Sequence, residues 1–372
     1  MTQLAAAPIV HEKALVRSWK TPIILAVFAV AALVAGFAFP NTGETTFRLS
    51  TQNDLIQLAD LTVPTEGTVA IIALVLVALT VVAAAFVRFG PTGRAPRWIP
   101  IVFAVLALFA FLSWAAAGKT IPIPGLLLGS IALATPIIFG ALGGVISERS
   151  GVVNIAIEGQ LLFGAFSAAV VASIAQNPVA GLLAAMIGAV LVSFVLAAFS
   201  IKYVVDQVIV GVVLNVLVAG ITAFLFSSVL SDDPSLNRPV KFTQLPIPLL
   251  SEIPIVGPVL FRQTPLVYIM FVAVFLVWFG LFKTRWGLRV RSVGEHPQAA
   301  DTVGINVNGT RFWNVALAGA IVGIGGAYYT LDAVGAFGKD MTNGAGFIAL
   351  AAVIFGRWHP IWATLAGLLF GF

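Results

Sequence analysis

Asn154, Glu158 and Gln160 stand within seven residues of one another, directly ahead of the apolar run Leu161 to Val171. Two amides and a carboxylate in that spacing offer donors and acceptors to a polar solute, and Asn154 and Glu158 share one face if the segment is helical. The same residues also suit a short solvated loop, and both readings stand at this point. Glu158 falls in the first turn of the helix that follows, where unsatisfied amides and the helix dipole favour a carboxylate. Asn215 lies inside another apolar run with Thr222 seven residues on, hence on much the same face. An Asn so placed either ties helices together or touches what passes between them.

A second polar concentration runs KTRWGLRVRSVGEHPQAAD, from Lys283 to Asp301. It holds six charged side chains and a histidine in a chain that is 9% charged. Gly287, Gly294, Pro297 and Gly304 punctuate it around a short helix-compatible core, Pro297 to Val303. No serine, histidine and acid set and no paired carboxylates are evident, and with no cysteine there is no thiolate site. His296 and His359 have no second ligand at metal spacing, so no metal is expected. Gly118-Lys119-Thr120 resembles the end of a phosphate-binding loop, but Ser113 stands where its first glycine belongs, and the segment reads as a helix end.

The elements that must position these residues are membrane helices. A chain of 372 residues with 60% hydrophobic side chains and a mean hydropathy of +1.05 is no soluble domain. Apolar runs at 21–39, 67–87, 98–118, 123–146, 159–175, 179–201, 208–230, 264–282 and 312–331 predict an all-α, polytopic bundle of nine spans. A further run, 344–355, is too short to span alone, and another opens at Ile361 and is still running at Phe372. The first run exceeds the about 7–15 residues of a signal peptide's apolar stretch and reads as a retained anchor. Trp98, Trp114, Trp278 and Trp313, near run ends, read as interfacial anchors. With the N-terminus inside, inner segments hold thirteen of the twenty Lys and Arg, Lys13 among them, outer segments hold six, and Arg357 is unplaced. That bias predicts a cytoplasmic N-terminus and a cytoplasmic 283–311 loop, and it explains the net charge of +5 without nucleic acid.

Three stretches carry a family resemblance: SERSGVVNIAIEGQLLFGAF from Ser147, FKTRWGLRVRSVGEHPQAADTVGINV from Phe282, and NGAGFIALAAVIFGRWHPIWATLAGLLFGF from Asn343. In this order they resemble permeases of ATP-binding-cassette (ABC) importers for simple sugars, branched-chain amino acids and nucleosides. The form GVVNIAIEG is similar to the nucleoside branch. The resemblance implies a bacterial inner-membrane subunit that forms a path for nucleosides or a related small solute. It implies as partners a second permease subunit, an extracytoplasmic solute-binding protein and a separate cytoplasmic ATPase. That ATPase would use the ATP, with no cofactor on this chain, and would seat on the 283–311 loop through Arg289, Gly294, Glu295, His296, Ala300 and Asp301. Asn154, Glu158, Gln160 and Asn215 would line the path. Alternatives are a simple-sugar permease of the same family, or an ion-coupled secondary transporter, which would be expected to place charges deep in its helices.

The resemblance also exposes a repeat. The piece from Gly140 and the piece from Gly319 each begin with a glycine-spaced helix, pass through a polar interruption and resume as a glycine-punctuated apolar segment. The two leading helices run in opposite directions in the proposed topology, the pattern of inverted repeats with interrupted helices. Residues 1–97 are expected to form an N-terminal extension with two spans, and 98–372 the permease domain. Relatives in this family continue past the GLLFGF stretch, so the chain reads as truncated there.

Overall fold

The computed structural model describes residues 17–52 and 54–372; Lys13, counted among the inner charges, lies outside them. Thirteen α-helices follow in order: α1 Lys20–Leu33, α2 Thr65–Phe89, α3 Trp98–Ala115, α4 Ile123–Arg149, α5 Ile157–Ala175, α6 Pro178–Ala197, α7 Gln207–Leu225, α8 Pro265–Lys283, α9 Arg285–Glu295, α10 Pro297–Thr302, α11 Val307–Tyr328, α12 Ala345–Phe355 and α13 Pro360–Gly371. Nine of these, among the described residues, are long and apolar enough to cross a membrane, and π turns lengthen α1, α6, α7 and α11 to Ala38, Lys202, Leu230 and Ala333. All nine expected runs are helices. The ninth begins earlier than its apolar run, because Asn306 accepts from Gly309 N at 2.8 Å and caps a polar first turn. Asn177 and Asp206 cap α6 and α7 in the same way.

The chain divides into two compact units, one of residues up to Ser50 with Gln57–Ile123, the other of Thr51–Ile56 with Pro124–Phe372. The first unit packs α1, α2 and α3 through Leu25, Ala29, Leu76, Ile99 and Phe103. It thus holds three spans, α3 included, which the sequence reading groups with the following domain. Its connecting loops form a small sheet of β1 Glu44–Arg48, β2 Leu61–Pro64 and β3 Thr120–Pro122 in the order β2-β1-β3. Strand β1 runs antiparallel to β2, with Glu44 opposite Pro64, and parallel to β3, with Thr46 opposite Thr120. Trp114 Nε1 donates to Phe39 O at 2.8 Å and ties the end of α3 to the end of α1. Lys119 N bonds to Ala116 O beyond α3, so the lysine of the loop-like triplet sits at a helix end, as read from the sequence.

The second unit is built on glycine. A first side-chain carbon on Gly326 of α11 would lie 2.3 Å from Leu161 O, and one on Gly323 would lie 2.4 Å from Ala185 O. Helices α5, α6 and α11 therefore meet backbone to backbone, as small residues permit in a membrane. The two glycine pairs singled out in the sequence serve such contacts: Gly140 and Gly144 receive Ala349 and Val353 of α12, and Gly319 and Gly323 face α6. Two further strands, β4 Leu245–Pro246 and β5 Arg262–Gln263, pair within the loop between α7 and α8.

Candidate functional site

The chain reverses between α4 and α5 through a tight corner. Gly151 takes a left-handed φ of +86°, and Val152 N bonds back to Ser147 O at 3.0 Å. Helix α5 begins only at Ile157, so Asn154 precedes it and shares no helical face with Glu158. Nor is this a solvated loop: Asn154 and Gln160 are fully buried. Asn154 Nδ2 donates to Gln160 Oε1 at 3.0 Å, and Gln160 Nε2 donates to Ser193 Oγ of α6 at 2.9 Å. Asn215 of α7 accepts from Gly159 N at 2.8 Å and donates to Ile155 O at 2.8 Å. The N-cap residue Ala156 has no polar side chain, so Asn215 satisfies a first-turn amide of α5 from another helix.

Glu158 lies in the first turn of α5, as its sequence position indicates, but its carboxylate serves α12. Oε1 accepts from Thr342 Oγ1 at 2.6 Å and Gly344 N at 2.9 Å, and Oε2 accepts from Gly346 N at 2.6 Å. The two helices meet first turn to first turn. A carbon added to Gly346 would lie 2.4 Å from Glu158 N, so only glycine admits this approach. The positive ends of two helix dipoles thus face each other, with one carboxylate between them. The depth of this knot follows from helix lengths. Gly140, whose added carbon would touch Ile157, lies nine residues from Arg149, about 13 Å along α4. Gly346 lies nine residues before Phe355, the last residue of α12, about 13 Å of rise, and the turn that follows carries Trp358, which accepts from Arg149 Nε at 3.0 Å. Each distance is close to half the thickness of a membrane core of about 30 Å.

At the Arg149 end, the expected loop is two helices. The sequence reading places a short helix at Pro297 to Val303 and finds α10 there, but it misses α9. Thr284 caps α9 by accepting from Gly287 N at 3.2 Å, and Gly287, Val290 and Val293 form its buried stripe. That cap and three-residue spacing are the signal that marks it. Gly294, read as turn or helix-end punctuation, is the penultimate residue of α9, where an added carbon would fall 2.2 Å from Arg149 O. Arg289, Glu295, His296 and Asp301 are exposed, whereas Ala300 is buried and packs inward. Glu295 stands 3.9 Å from Arg149.

Arg149, Glu148 and Trp358 were not singled out by the sequence, yet they join these parts. Trp358 Nε1 donates to Glu148, and Arg311 Nε donates to Ser150 O at 3.3 Å. The rings of Phe282 and His359 lie 4.8 Å apart, with Arg149 and Arg291 each near the Phe282 face. Burial, and then the charge of Arg149, hold the His359 imidazole below its ordinary range, which favours its neutral form. Among the described residues no group of three or more His, Cys, Asp and Glu is placed to hold a metal ion.

Residues 126–372, which contain both the Glu158 knot and the Arg149 corner, match the family described as branched-chain amino acid transport system, permease component. The chain belongs to this family. The guanosine ABC transporter permease protein NupQ of Bacillus subtilis is 43% identical over 250 residues, 65% of this chain and 78% of that protein. The nucleoside ABC transporter permease protein NupC of Lactococcus lactis is 43% identical over 247 residues, 64% of this chain and 77% of that protein. The putative glucose ABC transporter permease protein TsgC13 of Haloferax volcanii is 34% identical over 251 residues, 66% of this chain and 75% of that protein. No solved structure matches the chain. As a member of this permease family with, among the described residues, nine helices long and apolar enough to span, the chain is a multi-pass membrane permease of an ABC importer.

Proposed function

We propose that this permease carries nucleosides, with ATP hydrolysed on a separate cytoplasmic ATPase that seats on the exposed side of α9 and α10. A second permease subunit and an extracytoplasmic solute-binding protein complete the importer, whose N-terminus lies on the cytoplasmic side. The observation that carries the substrate is the 43% identity to two permeases named for guanosine and for nucleosides. The geometry supports a path at the Glu158 knot, because interrupted helices near the membrane middle are where transporters hold solutes. Asn154, Glu158, Gln160 and Asn215 bond to protein groups in this conformation, and withdrawal of α12 from the corner of α4 and α5 would free the Glu158 carboxylate, the one of the four that bonds to the α12 segment. The 34% identity to a permease named for glucose keeps a sugar as the second reading.

The test is uptake into proteoliposomes holding the whole importer, with tritiated guanosine and labelled glucose offered separately. Guanosine uptake that stops when the ATPase is made inactive, with ion gradients intact, is the expected result. Glucose uptake alone would transfer the assignment to sugars, and guanosine uptake that persists with a dead ATPase would reject the ATP-driven reading.

A further inference from the structure

The half-helix α12 and the segment α9 belong to distant parts of the sequence, yet both are fastened to one residue. Arg149 closes α4, and its backbone and side chain face different neighbours. Its carbonyl oxygen lies where a side-chain carbon on Gly294 would fall, 2.2 Å away, so α9 rests on the backbone of the corner. Its guanidinium reaches Glu295 at the end of α9, 3.9 Å away, and donates from Nε to the carbonyl of Trp358 at 3.0 Å. Trp358 in turn donates to Glu148, so the turn after α12 is held at two adjacent positions of α4. That turn is an unusual one. Arg357 and Trp358 are consecutive non-glycine residues with φ of +52° and +54°, a region that costs energy and persists only when the surroundings enforce it. The rest of α12 leads from this turn to Gly346 and the carboxylate of Glu158.

We infer that Arg149 is a positioning residue of the transport cycle, linking the ATPase-facing helix α9 to the turn after α12 so that α12 moves with α9. A guanidinium suits this task because Nε donates to the Trp358 carbonyl while the charge at another nitrogen faces the Glu295 carboxylate. The inference rests on the reading of α9 and α10 as the ATPase seat, and it adds the route by which a push on that seat reaches the Glu158 knot. Trp358 acts beside Arg149 through its indole bond to Glu148.

The experiment uses the complete importer and a thiol-reactive fluorophore at Phe355→Cys, the exposed last residue of α12, in a chain that has no other cysteine. The readout is the change in label signal when ATP and vanadate are added, measured per complex, together with the amount of ATPase that co-purifies. Wild type should respond. Arg149→Ala should retain its ATPase while the response falls about tenfold, within the roughly 2- to 30-fold span typical of coupling residues. Trp358→Phe keeps the ring but not the N–H donor, and should weaken the response in a chain that still assembles. A fall in assembled protein with a normal response per complex would mark both residues as merely structural and overturn the inference. So would full responses from Arg149→Ala and Trp358→Phe. A label indifferent to ATP in the otherwise unaltered chain, with ATPase co-purifying, would overturn the inference alone, whereas a chain that co-purifies no ATPase would overturn the seat on α9 and α10 and the inference with it.

Discussion

The central helices of the second unit, α5 and α11, bury far larger shares of themselves than the helices of the first unit, whereas its outer helices α7 and α8, at 33% and 28%, do not. Within the most apolar window of each, 67% of α5 and 72% of α11 is buried inside the protein, against 22%, 28% and 22% for α1, α2 and α3. The first unit presents large side chains such as Ile24, Phe28, Ile71 and Phe111 outward, as suits a lipid-facing surface. In the second unit glycines let backbones touch, and a largely apolar interior encloses the polar groups Glu158, Gln160, Asn154 and Asn215. Close packing of backbones and buried hydrogen bonds demand fixed geometry, whereas large side chains against lipid tolerate change. The difference teaches that tolerance to substitution should follow what each helix face meets, more than how apolar the helix is.

Four substitutions sharpen or break that contrast. The largest effect is expected from Gly326→Leu, because its first carbon would meet Leu161 O at 2.3 Å and Ala165 N at 2.9 Å, backbone atoms with nowhere to go. Overpacking an adaptable core costs about 1–3 kcal/mol, and a rigid contact costs more. Size-exclusion chromatography in detergent should show loss of the monodisperse chain. Next comes Glu158→Ala, which leaves the Gly344 and Gly346 amides and the Thr342 hydroxyl without their acceptor at about 1–3 kcal/mol each. A lowered melting temperature and lost uptake are expected together.

Glu158→Gln should fall between Ala and wild type. If the amide oxygen serves Thr342 and Gly344, the amide nitrogen faces the Gly346 N–H, donor against donor, and one bond of the three is forfeited. Uptake should be reduced but measurable, and normal uptake from both Ala and Gln variants would deny Glu158 a part in the path. The smallest effect is expected in the first unit. A carbon on Gly67 of α2 would meet nothing within 4 Å, so Gly67→Ala should leave uptake unchanged and raise stability by up to about 0.5–1 kcal/mol through helix propensity. A large loss from Gly67→Ala would break the contrast between the units.

Most of the helix framework was legible in the sequence because hydropathy over about twenty residues is a one-dimensional signal. The nine spans and the two short apolar helices all appear in their expected places. What stayed hidden depended on three-dimensional meetings. Nothing local tells that Glu158, placed to serve its own helix, bonds instead to Gly346, 188 positions away. Asn154 would share a face with Glu158 only in a helical segment, and it does not because the corner at Gly151 delays the helix to Ile157. Helix α9 was hidden by its own composition, since arginines and glycines obscure the stripe of Val290 and Val293. The strands of the first unit, three to five residues long, carry too few residues for alternation to register.

In the proposed function, α12 must part from the corner of α4 and α5 for solute to pass. Gly144 and Val353 offer a direct test, because a carbon on Gly144 would stand 4.0 Å from the Val353 Cβ, within the usual span of a disulfide. The chain has no cysteine of its own, so Gly144→Cys with Val353→Cys gives one defined pair. Guanosine uptake by the reconstituted importer is measured with the pair reduced, oxidised and reduced again. Oxidation should abolish uptake and reductant should restore it, while either single variant should be indifferent to oxidant. Full uptake by a chain shown to be completely cross-linked would contradict this requirement.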